Sequence, residues 1–421
     1  MSDRTVLYTA AFLRSLATGV VGVLIGIYLA RIGLDPAATG AVVAAGLAGV
    51  AASALIVTLL GERLGRRRSL VVVSLVAAGG SLAMLLVSGT FPIAAAAFLG
   101  MINGMGRDRG ASVVIDQAIL PATLPDERRT SAFAWYNVAQ DAGHALGGLM
   151  AAVPSILSGA LGFEETAALR LTLAGAACLP LATAVLSARL SPAIEIPRSQ
   201  ARHVRVSPES RRILWKISAL FAVDSLAGGF LTTALLSFFF YERFGVGAGT
   251  LGLLFFAARV ANAASHLGAA WLARRFGLVN TMVFTHIPSS ILLATVPFAP
   301  SFPVAAGLFL LREGLVEMDV PTRQSYVMAV VRPEERTIAS GVTHMVRLAS
   351  WAVAPAFAGL LMRGLSFGAP LYVGAGMKIA YDLLLYAAFR GRRPPEEDDP
   401  GRTRTGPKES HSYSEQGAKT P

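Results

Sequence analysis

Long apolar runs separated by short polar joints fill the chain from its first residues to about position 389. Twelve can be traced, near 7–30, 37–60, 69–90, 93–119, 130–153, 166–188, 214–240, 249–272, 280–300, 302–329, 336–361 and 367–389. Each meets or approaches the about 20 residues that an α-helix needs to cross a bilayer. None alternates with the two-residue period of a barrel strand, and a backbone facing lipid must satisfy its own hydrogen bonds. The runs therefore predict transmembrane helices, and the chain an all-α polytopic membrane protein. The first run is too long, and too poor in an A-x-A-like site, to be a cleaved signal. Residues 390–421 reverse the pattern. They are rich in charge, Pro, Gly and Ser, with too little apolar surface to offset the entropy of ordering, so a disordered tail is expected.

Composition agrees. Of 421 residues, 54% are hydrophobic and only 15% charged, which excludes most soluble enzymes. The single cysteine, Cys178, excludes a disulfide framework and a thiolate metal cluster. The net charge of +11 could suggest nucleic acid, but 33 of the 37 basic residues are arginines, most in small clusters between apolar runs. A lipid bilayer explains that spacing better. Counted joint by joint, 24 basic residues fall on one side of the membrane, against Arg31, Arg243 and Arg363 on the other. The positive-inside rule then puts both termini in the cytoplasm, and the membrane is expected to be the cytoplasmic (inner) one.

The longest polar interruption before the tail separates runs six and seven. The expected organisation is a bundle over 1–188, a cytoplasmic loop over 189–213, a second bundle over 214–389, and the tail. Across the interruption, DQAILPATLPDERR (Asp116 to Arg129) echoes RQSYVMAVVRPEERT (Arg323 to Thr337), with offsets of 207 at Gln117/Gln324 and 208 at Pro125/Pro333. ERLGRRR (Glu62 to Arg68) echoes RRFGLVN (Arg274 to Asn280), with Gly65 and Gly277 212 apart. Two matches at nearly one spacing argue for a duplicated six-helix unit.

The joint after run two reads Thr58, then Glu62-Arg63-Leu64-Gly65-Arg66-Arg67. It resembles motif A of the major facilitator superfamily, a glycine followed by Asp-Arg-x-Gly-Arg-Arg, with Thr58 in place of the leading glycine and Glu62 in place of the aspartate. Gly143 to Gly148 is similar to the family's antiporter motif without its proline. The resemblance covers all twelve runs. It implies two pseudo-symmetric six-helix bundles around a central cavity lined mainly by spans one, four, seven and ten. On physical grounds, a turn carrying Arg63, Arg66 and Arg67 can dock on helix C-termini of the opposite bundle, where partial negative charge collects, and so act as a gate. The alternative is that these arginines only set orientation.

Charges inside the membrane supply the candidate chemistry. Run ten contains Arg312, Glu313, Glu317, Asp319 and Arg323. At about 2.5–3.5 kcal/mol each in a helix centre, five isolated charges cannot face lipid. Helical spacing puts Arg312, Asp319 and Arg323 on one stripe and Glu313, Glu317 and Gln324 on its neighbour. Two acids one turn apart hold a proton between them or need a cation, making Glu313 and Glu317 candidate proton carriers; otherwise an arginine neutralises both. Run four repeats the theme with Arg107, Asp108, Arg109 and Asp116. Either the arginines meet an anionic solute through paired hydrogen bonds, or the two acids already occupy them. Asp141 and His144 in run five are candidates for a proton relay or for interhelical glue. Arg14, Asp224 and Arg347 are further solute candidates, Arg14 and Asp224 because the resemblance puts their helices on the pathway. Lys378 and Asp382, four apart, are expected to pair with each other.

No phosphate-binding loop, H-x-x-x-H pair or nucleophile elbow occurs in the sequence. The expectation is a non-enzymatic transporter without cofactor or metal, monomeric, that moves a small polar or charged organic solute by alternating access and draws on protons. A proton-independent anion exchanger or facilitator, and a transport-dead sensor or scaffold, stay open.

Overall fold

The computed structural model describes residues 2–106, 110–120, 129–195, 207–276, 278–316 and 336–389. Helices account for nearly all of them: α1 (Asp3–Arg31), α2 (Pro36–Leu64), α3 (Arg66–Leu86), α4 (Thr90–Leu99), α5 (Ala111–Ile119), α6 (Arg129–Met150), α7 (Val153–Leu161), α8 (Glu165–Ser187), α9 (Pro208–Gly229), α10 (Thr233–Phe244), α11 (Ala248–Phe276), α12 (Leu278–Thr295), α13 (Phe302–Val316), α14 (Arg336–Gly364) and α15 (Ala369–Phe389). They form the twelve spans of two six-helix bundles. Among the described residues, eight helices are long and apolar enough to cross a membrane unaided.

Joints begin and end where local chemistry requires. The Asp35 carboxylate caps α2 by accepting from the Ala38 N–H at 2.7 Å, with Pro36 in the first turn where no N–H is needed. Gly65, at φ +89°, turns the chain from α2 into α3, in a conformation open mainly to glycine.

Three spans depart from unbroken helices. Run four is not continuous over 93–119: α4 stops at Leu99 and α5 starts at Ala111. Between them Gly106 sits at φ +66° and even Met101 at φ +50°. Four glycines within eleven residues lower the helical preference enough for tertiary contacts to break it. Run seven is divided at 230–232 between α9 and α10, and run five at 151–152 before Pro154.

The bundles meet unevenly. On the face opposite the termini one apolar core draws on both halves, including Leu24, Tyr28 and Val42 from the first and Phe238, Phe239 and Leu251 from the second. Phe240 anchors it, with ring centroids 5.3 Å from Phe239 and 5.7 Å from Phe309. Glycine permits the approach. A Cβ on Gly40 of α2 would lie 2.3 Å from the Pro355 carbonyl of α14, and one on Gly359 would lie 2.3 Å from the Pro36 carbonyl. On the terminal face each half keeps a core of its own, around Leu7, Leu70 and Tyr136 in one and around Phe221, Met282 and Tyr381 in the other. Midway, Val50 and Ala54 still touch Leu348 and Trp351. Among the described residues the halves thus share a core on one face and keep cores of their own towards the other.

Candidate solute site

Arg14 projects from the middle of α1. Its guanidinium forms an ion pair with Asp116 of α5 and donates to the Tyr136 hydroxyl of α6 at 3.3 Å, while that hydroxyl donates to Asp116 Oδ2 at 2.9 Å. Asp116 is 1% exposed. A carboxylate so buried requires both partners. Arg14 also lines a cavity of about 110 Å³, with Thr18, Asn103 and Ser112 supplying polar groups and Val21, Met84 and Leu173 apolar ones. One water needs about 10–15 Å³ by this measure, so the space admits several waters or a small organic group. Its walls come from α1, α2, α3, α8 and the two ends of the span-four break. This cavity lies in the first bundle rather than among spans one, four, seven and ten.

The break in span four also reaches the other bundle. The carbonyls of Gly104, Met105 and Gly106 accept from the Ala234 N–H at 3.0 Å, the Thr233 hydroxyl at 2.9 Å and an Arg259 guanidinium N–H at 3.1 Å. Backbone acceptors freed by the break are satisfied by α10 and α11, as non-helical backbone at membrane depth requires. Thr233 and Ala234 are the first two residues of α10, so the breaks in spans four and seven meet.

In the second half, Arg347 Nε donates to Ser225 Oγ at 3.2 Å, and its guanidinium lies 4.8 Å from the Trp351 ring centroid. Arg312 is in contact with Glu313, its neighbour in sequence, and both are buried. Asp224 meets Lys378 at 3.1 Å. Lys378 and Asp382 do not pair with each other as their spacing suggested. Lys378 turns to Asp224 and Asp382 to His286, because α9 and α12 bring buried partners against α15.

Arg66 and Arg67 of the motif-like joint make their described hydrogen bonds to the first bundle and the segment after it. The Glu195 carboxylate accepts from the backbone N–H groups of Arg66 at 2.7 Å and Arg67 at 3.1 Å, capping α3. The Arg66 guanidinium donates to the carbonyls of Ile194 at 3.2 Å and Ala118 at 3.4 Å. Those acceptors are helix C-termini, as the dipole argument requires, but of the first bundle and the segment after it. Glu195 was missed by the sequence reading; its only signal was an acid in a basic stretch.

The Major Facilitator Superfamily profile matches residues 7–347 and 217–416. The chain belongs to that superfamily. An uncharacterized membrane protein of Saccharomyces cerevisiae is 26% identical over 431 residues, 92% of this chain and 94% of the yeast protein. Among solved structures, the nucleoside transporter NupG superposes with TM-score 0.72 at 15% identity, covering 93% of this chain and 100% of its own. A D-xylose-proton symporter superposes with TM-score 0.68 at 15% identity, covering 91% and 98%. The protein is therefore a multi-pass membrane transporter of this superfamily, with its twelve-helix fold.

Of the residues singled out from the sequence, Arg14 lines the cavity. Asp224, Arg312, Glu313 and Arg347 are buried or half-buried in contacts within the second bundle. Asp141 is exposed and His144 buried, although they lie three apart on α6. Arg107, Asp108, Arg109, Glu317, Asp319 and Gln324 lie outside the described residues, as do the side chains of Glu62 and Arg63.

Proposed function

We propose that the protein is a secondary active transporter that moves a small polar or charged organic solute by alternating access, coupled to protons. One observation carries this reading: among the described residues the halves share a core on one face and hold separate cores on the other, with the ion pairs Arg14–Asp116 and Lys378–Asp224 buried within the two bundles. A sealed face and a parted face are what one end state of a rocking pair requires. The excess of basic residues assigns the parted face to the cytoplasm, with both termini, so the conformation is inward-facing. Arg14 at the cavity, with Arg107, Arg109, Asp224, Arg312, Asp319, Gln324 and Arg347, forms the solute-binding set. Glu313 and Glu317, with Asp108, Asp141 and His144, exchange the proton. The joint from Glu62 to Arg67 acts as the gate; in the inward-facing state Glu195 and the Ala118 and Ile194 carbonyls hold it within the first half, and it docks on the second half when that face closes.

The resident membrane is a cytoplasmic one and the working unit a monomer. The test begins with a thermal-shift screen of nucleosides, sugars and organic anions on purified protein. Any solute found is then followed into proteoliposomes with and without an imposed pH gradient. Accumulation driven by the gradient, and weakened in Glu313→Gln, is the expected result. Contact of Glu313 with Arg312 favours a second reading, an exchanger without a proton step. In that case flux ignores the gradient and Glu313→Gln leaves its pH dependence unchanged.

A further inference from the structure

Four ionisable side chains of the second bundle meet in a cluster apart from the cavity and the Arg312–Glu313 pair. Asp224 comes from α9, His286 from α12, and Lys378 and Asp382 from α15. All are buried, at 5%, 2%, 6% and 1% exposure. Lys378 Nζ lies 3.1 Å from Asp224 Oδ1 and 3.3 Å from His286 Nε2. On the other side of the ring, Nδ1 lies 3.0 Å from both carboxylate oxygens of Asp382. Counted from Leu278, His286 is about 12 Å into the helix at 1.5 Å per residue, well within the membrane.

These neighbours assign the ring its protons. An ammonium has donors only, so the Nε2 that faces it accepts; a carboxylate only accepts, so the Nδ1 that faces it donates. The imidazole is therefore neutral in this arrangement. Its Nε2 lone pair has two claimants, an N–H of Lys378 or a proton from hydronium. They exclude each other, because a protonated Nε2 turns an N–H towards the ammonium. Asp382 stabilises the imidazolium formed, and Asp224 stands ready to take the displaced Lys378.

We propose that His286 is a proton-binding site of this transporter, and that protonation at Nε2 displaces Lys378 and commits it to Asp224. The step is a plain transfer: a hydronium ion loses one O–H bond and leaves as water, Nε2 gains one N–H bond, and the Lys378 hydrogen bond to Nε2 breaks. The groups facing the ring are Asp224 from α9 and Lys378, Tyr381 and Asp382 from α15; among the described side chains, α11 and α13 bring no charge to it. Two polar groups on α12 stand near the ring without a partner for it to compete with. Ser290, one turn beyond His286 on the same face, is buried with an unpartnered hydroxyl, and Pro288 leaves the Phe284 carbonyl without its helical N–H.

The site is positioned to act on span seven. Asp224 stands beside Ser225, which holds Arg347, and five residues before α9 ends at the break. Beyond the break, Thr233 and Ala234 bond the first bundle. A stronger Lys378 hold on Asp224 therefore acts on the helix that joins the two halves. This role rests on the proton-coupled reading above; the proton site itself does not.

Full-length protein labelled with ¹⁵N-histidine, in lipid nanodiscs, provides the test. The six histidines are followed between about pH 8 and pH 5, with His286 assigned from the signal lost in His286→Gln. If that variant does not fold, variants of the other five assign it by elimination. Expected is the Nδ1–H neutral form at the alkaline end, gaining a second proton at Nε2 as pH falls, with the midpoint moved to higher pH in Lys378→Met. A ring that stays neutral throughout, or carries its neutral proton on Nε2, overturns the proposal. Solute flux separates the two ideas. Gradient-driven flux with a His286 that never titrates sinks the site and keeps proton coupling, whereas titration with flux blind to the gradient supports the site and sinks coupling.

Discussion

Arg14 and Asp116 illustrate what a single charge needs at membrane depth. Removing one member of a buried ion pair leaves the other uncompensated, at a cost of about 3–5 kcal/mol, whereas replacing both by apolar residues is often close to neutral. Asp116→Ala is therefore expected to lower the apparent melting temperature of the detergent-solubilised protein more than the double replacement Arg14→Leu/Asp116→Leu, read by thermal unfolding. At the surface, Glu164 caps α8. The Thr166 side chain and the backbone N–H groups of Thr166 and Ala167 hold its carboxyl below the ordinary value of 4.5. A depressed acid stabilises the fold above its unfolded pKa and loses that contribution as pH falls through its folded one. The melting difference between wild type and Glu164→Gln should thus be present at neutral pH and vanish once pH falls below the folded value. Charges at this scale were legible in the sequence, because they interrupt apolar runs; their partners were not. The four-residue spacing of Lys378 and Asp382 suggested a local pair, but each found a partner on another helix, at a distance no helical period encodes.

Among elements, the helices were legible wherever apolar length alone decides, as in α1, α2, α3 and α8. The breaks were not. Gly100 to Gly110 reads equally well as a close-packed helix face or as a helix that stops, and the choice falls to the α10 and α11 donors that satisfy the freed carbonyls of Gly104, Met105 and Gly106. Thr233→Val removes one of those donors while keeping the volume. It is expected to loosen the contact between the breaks, seen as faster hydrogen exchange in residues 104–106 and 230–234, with the folded content unchanged. The α2–α14 contact predicts a larger effect. A side chain at Gly359 would overlap the Pro36 carbonyl, so Gly359→Leu should hold the non-terminal face apart, read as a longer distance between spin labels at Asp35 and Arg363, which lie 3.4 Å apart across the halves.

At the scale of the molecule, the twelve-helix fold and the superfamily were visible in the sequence, because apolar length and motif A are written locally. Which face is sealed was not, since it depends on how the two halves lean together. Among the described residues, Phe240 and the glycine contacts close the non-terminal face, and the cores around Tyr136 and Tyr381 are separate clusters towards the other. Alternating access requires the opposite lean to be reachable as well. Spin labels in lipid nanodiscs measure this directly, with one pair at Asp35 and Arg363 on the sealed face and one at the exposed Leu59 and Val342 towards the parted face. The expected result is two populations at each pair, exchanging reciprocally as pH is changed, so that the first distance lengthens where the second shortens. A single unchanging distance at both pairs across the whole range would contradict it.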